Sequence, residues 1–215
     1  MNLFSGRILL FISIIILVIS GTCFGYEINN IGINDTSEII IDCNFSLKAA
    51  LNGKNIPEYI KKDLRILSVQ YFSFDDKLHQ GQSIIHKNLV NDLKQIFSLI
   101  KKIKFPIAKV IPIVKYNWND EKSMEDNNTS AFNYRFVKGT NKLSYHAKGR
   151  AIDINPKLNP QVRKKIKVPK NSNYNSITPG TLFNDSPIVK EFKKLGWRWG
   201  GNWRSVKDYQ HFEKR

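Results

Sequence analysis

Two short stretches hold the residues in this sequence that can do chemistry. Ser144 to Asp153 runs S-Y-H-A-K-G-R-A-I-D, and Asp208 to His211 runs D-Y-Q-H. Between them they contain His146, Asp153, Asp208 and His211. Two imidazoles and one carboxylate suit zinc and leave a fourth position for water. Such a site makes water acidic enough to attack near neutral pH and polarises the carbonyl under attack. The second carboxylate, Asp208, can take the proton from water and pass it to a leaving amine. Taken singly, these residues have plainer readings. A lone histidine is more often structural or exposed than a ligand, and Asp153, followed by Asn155-Pro156, suits a turn. The paired spacings, H-x6-D and D-x2-H, carry the argument together.

The spacings also say what the backbone must do. His146 and Asp153 are seven residues apart, so a straight strand would point them to opposite faces. A loop that bends at Gly149 and runs into a strand can bring both to one metal. Asp208 and His211 are three apart and also diverge on an extended segment, so a bend is needed there too.

The elements that must hold these residues follow from periodicity. Leu64 to Phe74 alternates and is rich in β-formers, which predicts a strand ended by Asp75-Asp76, with Gly81 in the turn after it and a second extended piece at Ile84-Ile85. Leu89, Leu93, Ile96, Phe97 and Ile100 fall at helical spacing, which predicts a helix over 88–102 with Asn88 as cap and Phe105-Pro106 as stop. Val110 to Tyr116 reads as a strand with Pro112 at an edge or bulge. The polar run 117–130 reads as a solvated loop. Ala151 to Ile154 places Asp153 on or beside a buried strand. Residues 155–180 form a long excursion of the kind that is usually functional or mobile. Ser186-Pro187 opens a helix with buried Ile188, Val189, Phe192 and Leu195, and Gly196 closes it. Turn and strand finish the chain. The fold class is α+β: a small antiparallel sheet with two or three helices packed on it and the zinc site on the sheet.

Length and composition agree. The chain has 215 residues, 41% hydrophobic and 12% aromatic, enough for one domain with a real core. The domains read as a signal peptide over 1–25, an N-terminal extension over 26–60 and a domain over 61–215 that holds both motifs. Arg7, the apolar run Ile8 to Ser20 and the small residues up to Gly25 make the secretory signal, with cleavage after Gly25. Cleavage removes Cys23 and leaves Cys43 without an internal partner. Ser20, three before Cys23, argues against lipidation. A net charge of +16 attracts polyanions. A cell-wall or membrane surface fits that charge better than nucleic acid, since no nucleic-acid-reading motif is present.

The motifs have a counterpart in a known family. S-Y-H-A-K-G-R-A-I-D resembles the S-x-H-x-x-G-x-A-x-D motif of the zinc D-alanyl-D-alanine carboxypeptidase and L-alanyl-D-glutamate endopeptidase family. W-G-G-N-W-R-S-V-K-D-Y-Q-H-F-E is similar to the terminal motif of its endolysin-like branch. S-M-E-D-N-N-T-S-A-F-N-Y-R resembles the family's segment with a substrate-binding arginine. The likeness runs from about residue 64 to the end, with 26–60 and the 157–180 excursion set apart from it. It implies the hedgehog/D-Ala-D-Ala peptidase-like fold, with Zn2+ held by His146, Asp153 and His211, Asp208 as catalytic carboxylate and Arg135 as the residue that binds and polarises substrate. A guanidinium suits that task; its plain alternative is a surface ion pair. Ser144 either bonds substrate or shapes its loop. His79 and His86 match no family site and read as structural or exposed. Trp197, Trp199 and Trp203 line a groove or belong to the core.

The implied activity is an exported zinc metallopeptidase acting on peptidoglycan stem peptides. The terminal motif favours an L-alanyl-D-glutamate endopeptidase over a D-alanyl-D-alanine carboxypeptidase. The rival of another class is a non-catalytic cell-wall-binding module on the same fold. An anionic cell-wall surface is a fitting partner, and no obligate protein partner is evident.

Overall fold

A computed structural model describes residues 38–215. The expected signal segment and the extension up to residue 37 lie outside the described residues. In chain order the elements are β1 (Ile40–Ile41), α1 (Leu47–Ala50), α2 (Glu58–Lys61), β2 (Leu64–Phe72), β3 (Leu78–His86), α3 (Val90–Lys102), β4 (Lys109–Val110), α4 (Asp120–Glu125), β5 (Asn128–Thr129), β6 (Ala151–Asp153), β7 (Gln161–Arg163), β8 (Ile166–Val168), α5 (Pro187–Lys194), β9 (Arg198–Trp199), β10 (Lys207–Asp208) and β11 (His211–Glu213). The class is α+β. Among the described residues, the single antiparallel sheet expected is instead four small ones, ordered β1-β3-β2, β4-β5, β6-β11-β9 and β10-β7-β8. Two of them contain a parallel pair.

The long hairpin β2–β3 is the platform. Its register runs from Leu64 opposite His86 to Phe72 opposite Leu78, and the chain reverses near Asp76, which adopts φ 60°. Gly81 is not in the turn; it sits mid-strand opposite Val69. The reason is the backbone of β4 lying across it: a Cβ on Gly81 would stand 2.2 Å from the Val110 carbonyl oxygen. The strand expected over 110–116 stops at Val110, because Pro112 has no N–H for a ladder and opens a 3-10 turn over Ile113–Tyr116.

The polar run 117–130 is also structured. Asn119 caps α4 by accepting the Lys122 N–H at 2.9 Å, and Asp120 and Glu121 fill its first turn, where acidic side chains favour the helix N-terminus. β5 follows, parallel to β4. Farther upstream, α3 begins at Val90, and Asn88 is not its cap. A 3-10 turn over Lys87–Leu89 precedes it, and the His86 ring accepts the Asn88 N–H.

Leu93, Ile96, Phe97 and Ile100 of α3 are buried as the periodicity predicts. They join Tyr71, Ile152, Phe192 and Phe212 in the main core. Ser186 accepts the Val189 N–H to start α5, with Pro187 at its first position. Residues 38–60 also pack inward: Ala50, Leu51, Ile56 and Ile60 form a second cluster with Leu64, Ile84 and Phe132.

The 155–180 excursion is pinned by buried asparagines. Asn155 receives the Ala108 N–H and donates to the Pro106 and Gly180 carbonyls. Asn159 donates to the Gly180 carbonyl and accepts the Leu182 N–H. The excursion carries the β7–β8 hairpin, which pairs with β10.

Gly81→Ala should lower stability by about 3 kcal/mol, the upper end for overpacking, since the clash is with backbone; urea unfolding at constant m-value measures it. His79 joins Asp42 (2.8 Å) to Asp75 (3.2 Å). Burial alone would lower its pKa, but those two carboxylates outweigh it and leave it raised above 6.5. The protonated ring therefore stabilises the fold fully below the ordinary value and progressively less as pH rises through the raised one. The melting-temperature gap between the native chain and His79→Gln should be widest at about pH 5.5 and shrink by about pH 9.

Candidate metal centre

His146 stands at the start of a 3-10 turn over His146–Lys148. The Ser144 hydroxyl shapes that turn by accepting the Ala147 N–H at 3.1 Å. Gly149 ends it with φ 63°, and its carbonyl accepts the His86 N–H at 2.8 Å. This is the bend that the spacing required. The chain then enters β6, which ends at Asp153. Asp153 pairs through its backbone with Ser130 on one side and faces His211 in the β6–β11 register on the other. Tyr209 and Gln210 provide the second bend, between β10 and β11.

Three ligand atoms converge. His146 Nε2 is 3.2 Å from His211 Nδ1 and 3.3 Å from Asp153 Oδ2, and His211 Nδ1 is 2.9 Å from Asp153 Oδ1. Both rings are sheltered, at 5% and 8% exposure. Their far nitrogens have acceptors: His146 Nδ1 lies 2.7 Å from the Ala131 carbonyl, and His211 Nε2 lies 3.2 Å from Glu213 Oε2. A ring that donates from its far nitrogen turns a lone pair inward. Two inward lone pairs beside a carboxylate repel unless a positive charge lies among them. The donor set, two imidazoles and one carboxylate, fits zinc with one position left open.

The charges within the cluster act strongly on one another. Burial acts to raise the Asp153 pKa, but His146 and His211 overcome it and hold the carboxyl well below the usual range. Burial acts to lower that of His211, but Asp153 and Glu213 raise it to about 10.

Asp208 is buried at 7% exposure. Its pKa is raised, chiefly by burial. Gln161 Nε2 donates to its Oδ2 at 2.7 Å, while Oδ1 is buried with no protein partner. Arg135 pairs with Asp120 of α4 at 3.0 Å and is 35% exposed along its side chain. Its backbone carbonyl accepts the Ser144 N–H. Trp197 and Trp199 are core residues, whereas Trp203 lies against the His211 ring, centroids 5.3 Å apart.

Sequence reasoning missed Glu213, Gln161 and Asp120. Glu213 was within reach, because two residues after His211 on a strand falls on the same face. Gln161 gave no local signal, since its partner is 47 positions away.

Residues 138–214 match the family model described as D-alanyl-D-alanine carboxypeptidase. The match covers less than half of the chain and contains His146, Asp153, Asp208 and His211. It supports that peptidase family broadly. It begins later than residue 64, and it runs through the excursion instead of leaving it out. No match to the chain was found among curated proteins or solved structures.

Glu213→Gln should weaken zinc binding by about tenfold to a hundredfold, as loss of an outer partner does. Competition with a chromophoric chelator measures this, and equal affinity would show that Glu213 does not tune His211.

Proposed function

We propose that this chain is an exported zinc metallopeptidase that hydrolyses an amide bond in peptidoglycan stem peptides, with the L-alanyl-D-glutamate bond as its substrate. The observation that carries the reading is the pairing of three convergent ligand atoms with a buried carboxylate whose Oδ1 has no protein partner. Zinc held by His146, Asp153 and His211 would supply Lewis acidity toward the scissile carbonyl and toward water. Asp208 accepts the proton of the attacking water and returns it to the leaving amine. Burial raises its pKa, which favours holding the proton between the two transfers. Arg135, held by Asp120, meets a substrate oxygen with its guanidinium. Ser144 sets the His146 turn.

The specific bond rests on the terminal motif W-G-G-N-W-R-S-V-K-D-Y-Q-H-F-E. The description of the matched family favours a second reading, removal of a terminal D-alanine. The lysine-rich surface, including Lys164, Lys165 and Lys167 on the β7–β8 hairpin, is complementary to an anionic cell wall.

Mass spectrometry of purified peptidoglycan incubated with the chain and zinc, beside Asp208→Ala, tests the reading. Fragments split between L-Ala and D-Glu are expected, falling by about a thousandfold or more in the variant, as when a general base and its proton shuttle are lost. Release of only terminal D-Ala would establish the carboxypeptidase reading. Absence of any zinc-dependent product would leave a wall-binding module.

A further inference from the structure

We propose that Gln161 is a positioning residue for Asp208, and that the β7–β8 hairpin serves this site as the brace that holds the base. The inference rests on the peptidase reading above. Asp208 sits on β10, a strand of two residues, too short to hold a side chain unaided. Its partner strand is β7, in which Gln161 stands directly opposite Asp208. Gln161 Nε2 donates to Oδ2 at 2.7 Å. One carboxylate oxygen is therefore anchored, and Oδ1, buried and without a protein partner, keeps its lone pairs for a proton.

The hairpin is itself fixed. The neighbouring Tyr209 donates its N–H to the Pro160 carbonyl at 3.3 Å. The Tyr209 ring stacks on Tyr174 of the same excursion, centroids 3.7 Å apart and planes within 13°. From the other side, Trp199 Nε1 donates to the Tyr209 carbonyl at 2.8 Å. The backbone of Gly200 presses against Asp208 so closely that a Cβ there would lie 2.8 Å from the Asp208 Cβ. At the root, Asn159 is fully buried and bonded to Gly180 and Leu182. Asp208 is thus clamped between the excursion and the W-G-G segment, and Gln161 sets the rotation of its carboxylate.

A base is sensitive to that rotation, since displacement by about 1 Å can cost about a hundredfold in rate. Gln161→Met keeps the length of the side chain and removes the donor. On purified peptidoglycan the variant should lose about tenfold to a hundredfold in kcat, with KM within about twofold and one zinc per chain retained by elemental analysis. A kcat equal to the native value, or a fall accompanied by loss of zinc, would overturn the proposal. A second measurement does not depend on activity: a double-mutant cycle of Gln161→Met and Asp208→Asn in urea unfolding. Non-additive changes support the anchoring bond, and additive ones overturn it. A native chain without hydrolytic activity would end the peptidase reading and leave this cycle to decide whether the brace exists.

Discussion

Asp153 is the point at which the structure is most constrained. Its backbone is bridged to Ser130 on one side and faces His211 on the other. Its two carboxylate oxygens meet one imidazole each. The convergence of Asp153 with the two imidazoles is therefore a property of strand register. Because side chains alternate along a strand, a slip of one residue between β6 and β11 would turn Asp153 away from His211. Burying a carboxylate here is costly unless its partners are in place, so the site forms as a unit or not at all. The hydrophobic residues around it, Ile152 and Phe212, are on the alternate positions of the same two strands and point into the main core. One register thus satisfies core and site together.

A second layer of polar groups does quieter work. The Ala131 carbonyl and Glu213 occupy the far nitrogens of the two rings and so aim the near ones inward. Arg198 in turn pairs with Glu213. Asn155 and Asn159 are buried and bonded on both faces of their amides, which lets an irregular segment sit inside the protein without orphaned backbone groups. Short sheets are adequate here because these side-chain bonds supply the order that longer ladders would give.

Much of this was legible in the sequence, and the reasons for success and failure differ by element. The helix faces of α3 and α5 and the long strand β2 were readable because their signals are local and periodic. The convergence of His146, Asp153 and His211 was readable because their residue types are rare in this chain and their spacing unusual. The run 117–130 reads as a loop in sequence because α4 buries only Ser123 of its own residues, so it carries no apolar stripe, and Asn119 as a cap looks like any asparagine in a loop. Gly81 was misplaced because its role is set by Val110, far away in sequence. The excursion looked detached for a similar reason: its lysines and asparagines conceal a hairpin whose partner, β10, comes some forty residues later. Parts whose partners lie close in sequence could be read, and parts defined by distant pairings could not.

The sheet β6-β11-β9 has its latest strand in the middle. A chain that emerges from its N-terminus first can assemble the β2–β3 hairpin, α3 and the second hydrophobic cluster long before His211 is available. His146 and His211 are separated by 65 positions, so closure of the site is a late, long-range event. Until β11 pairs with its neighbours, Asp153 lacks one of its two imidazoles and the cluster is incomplete. Chain order therefore acts as a timer: the cluster of His146, Asp153 and His211 closes only when β11 joins, and Phe212 enters the core in the same step.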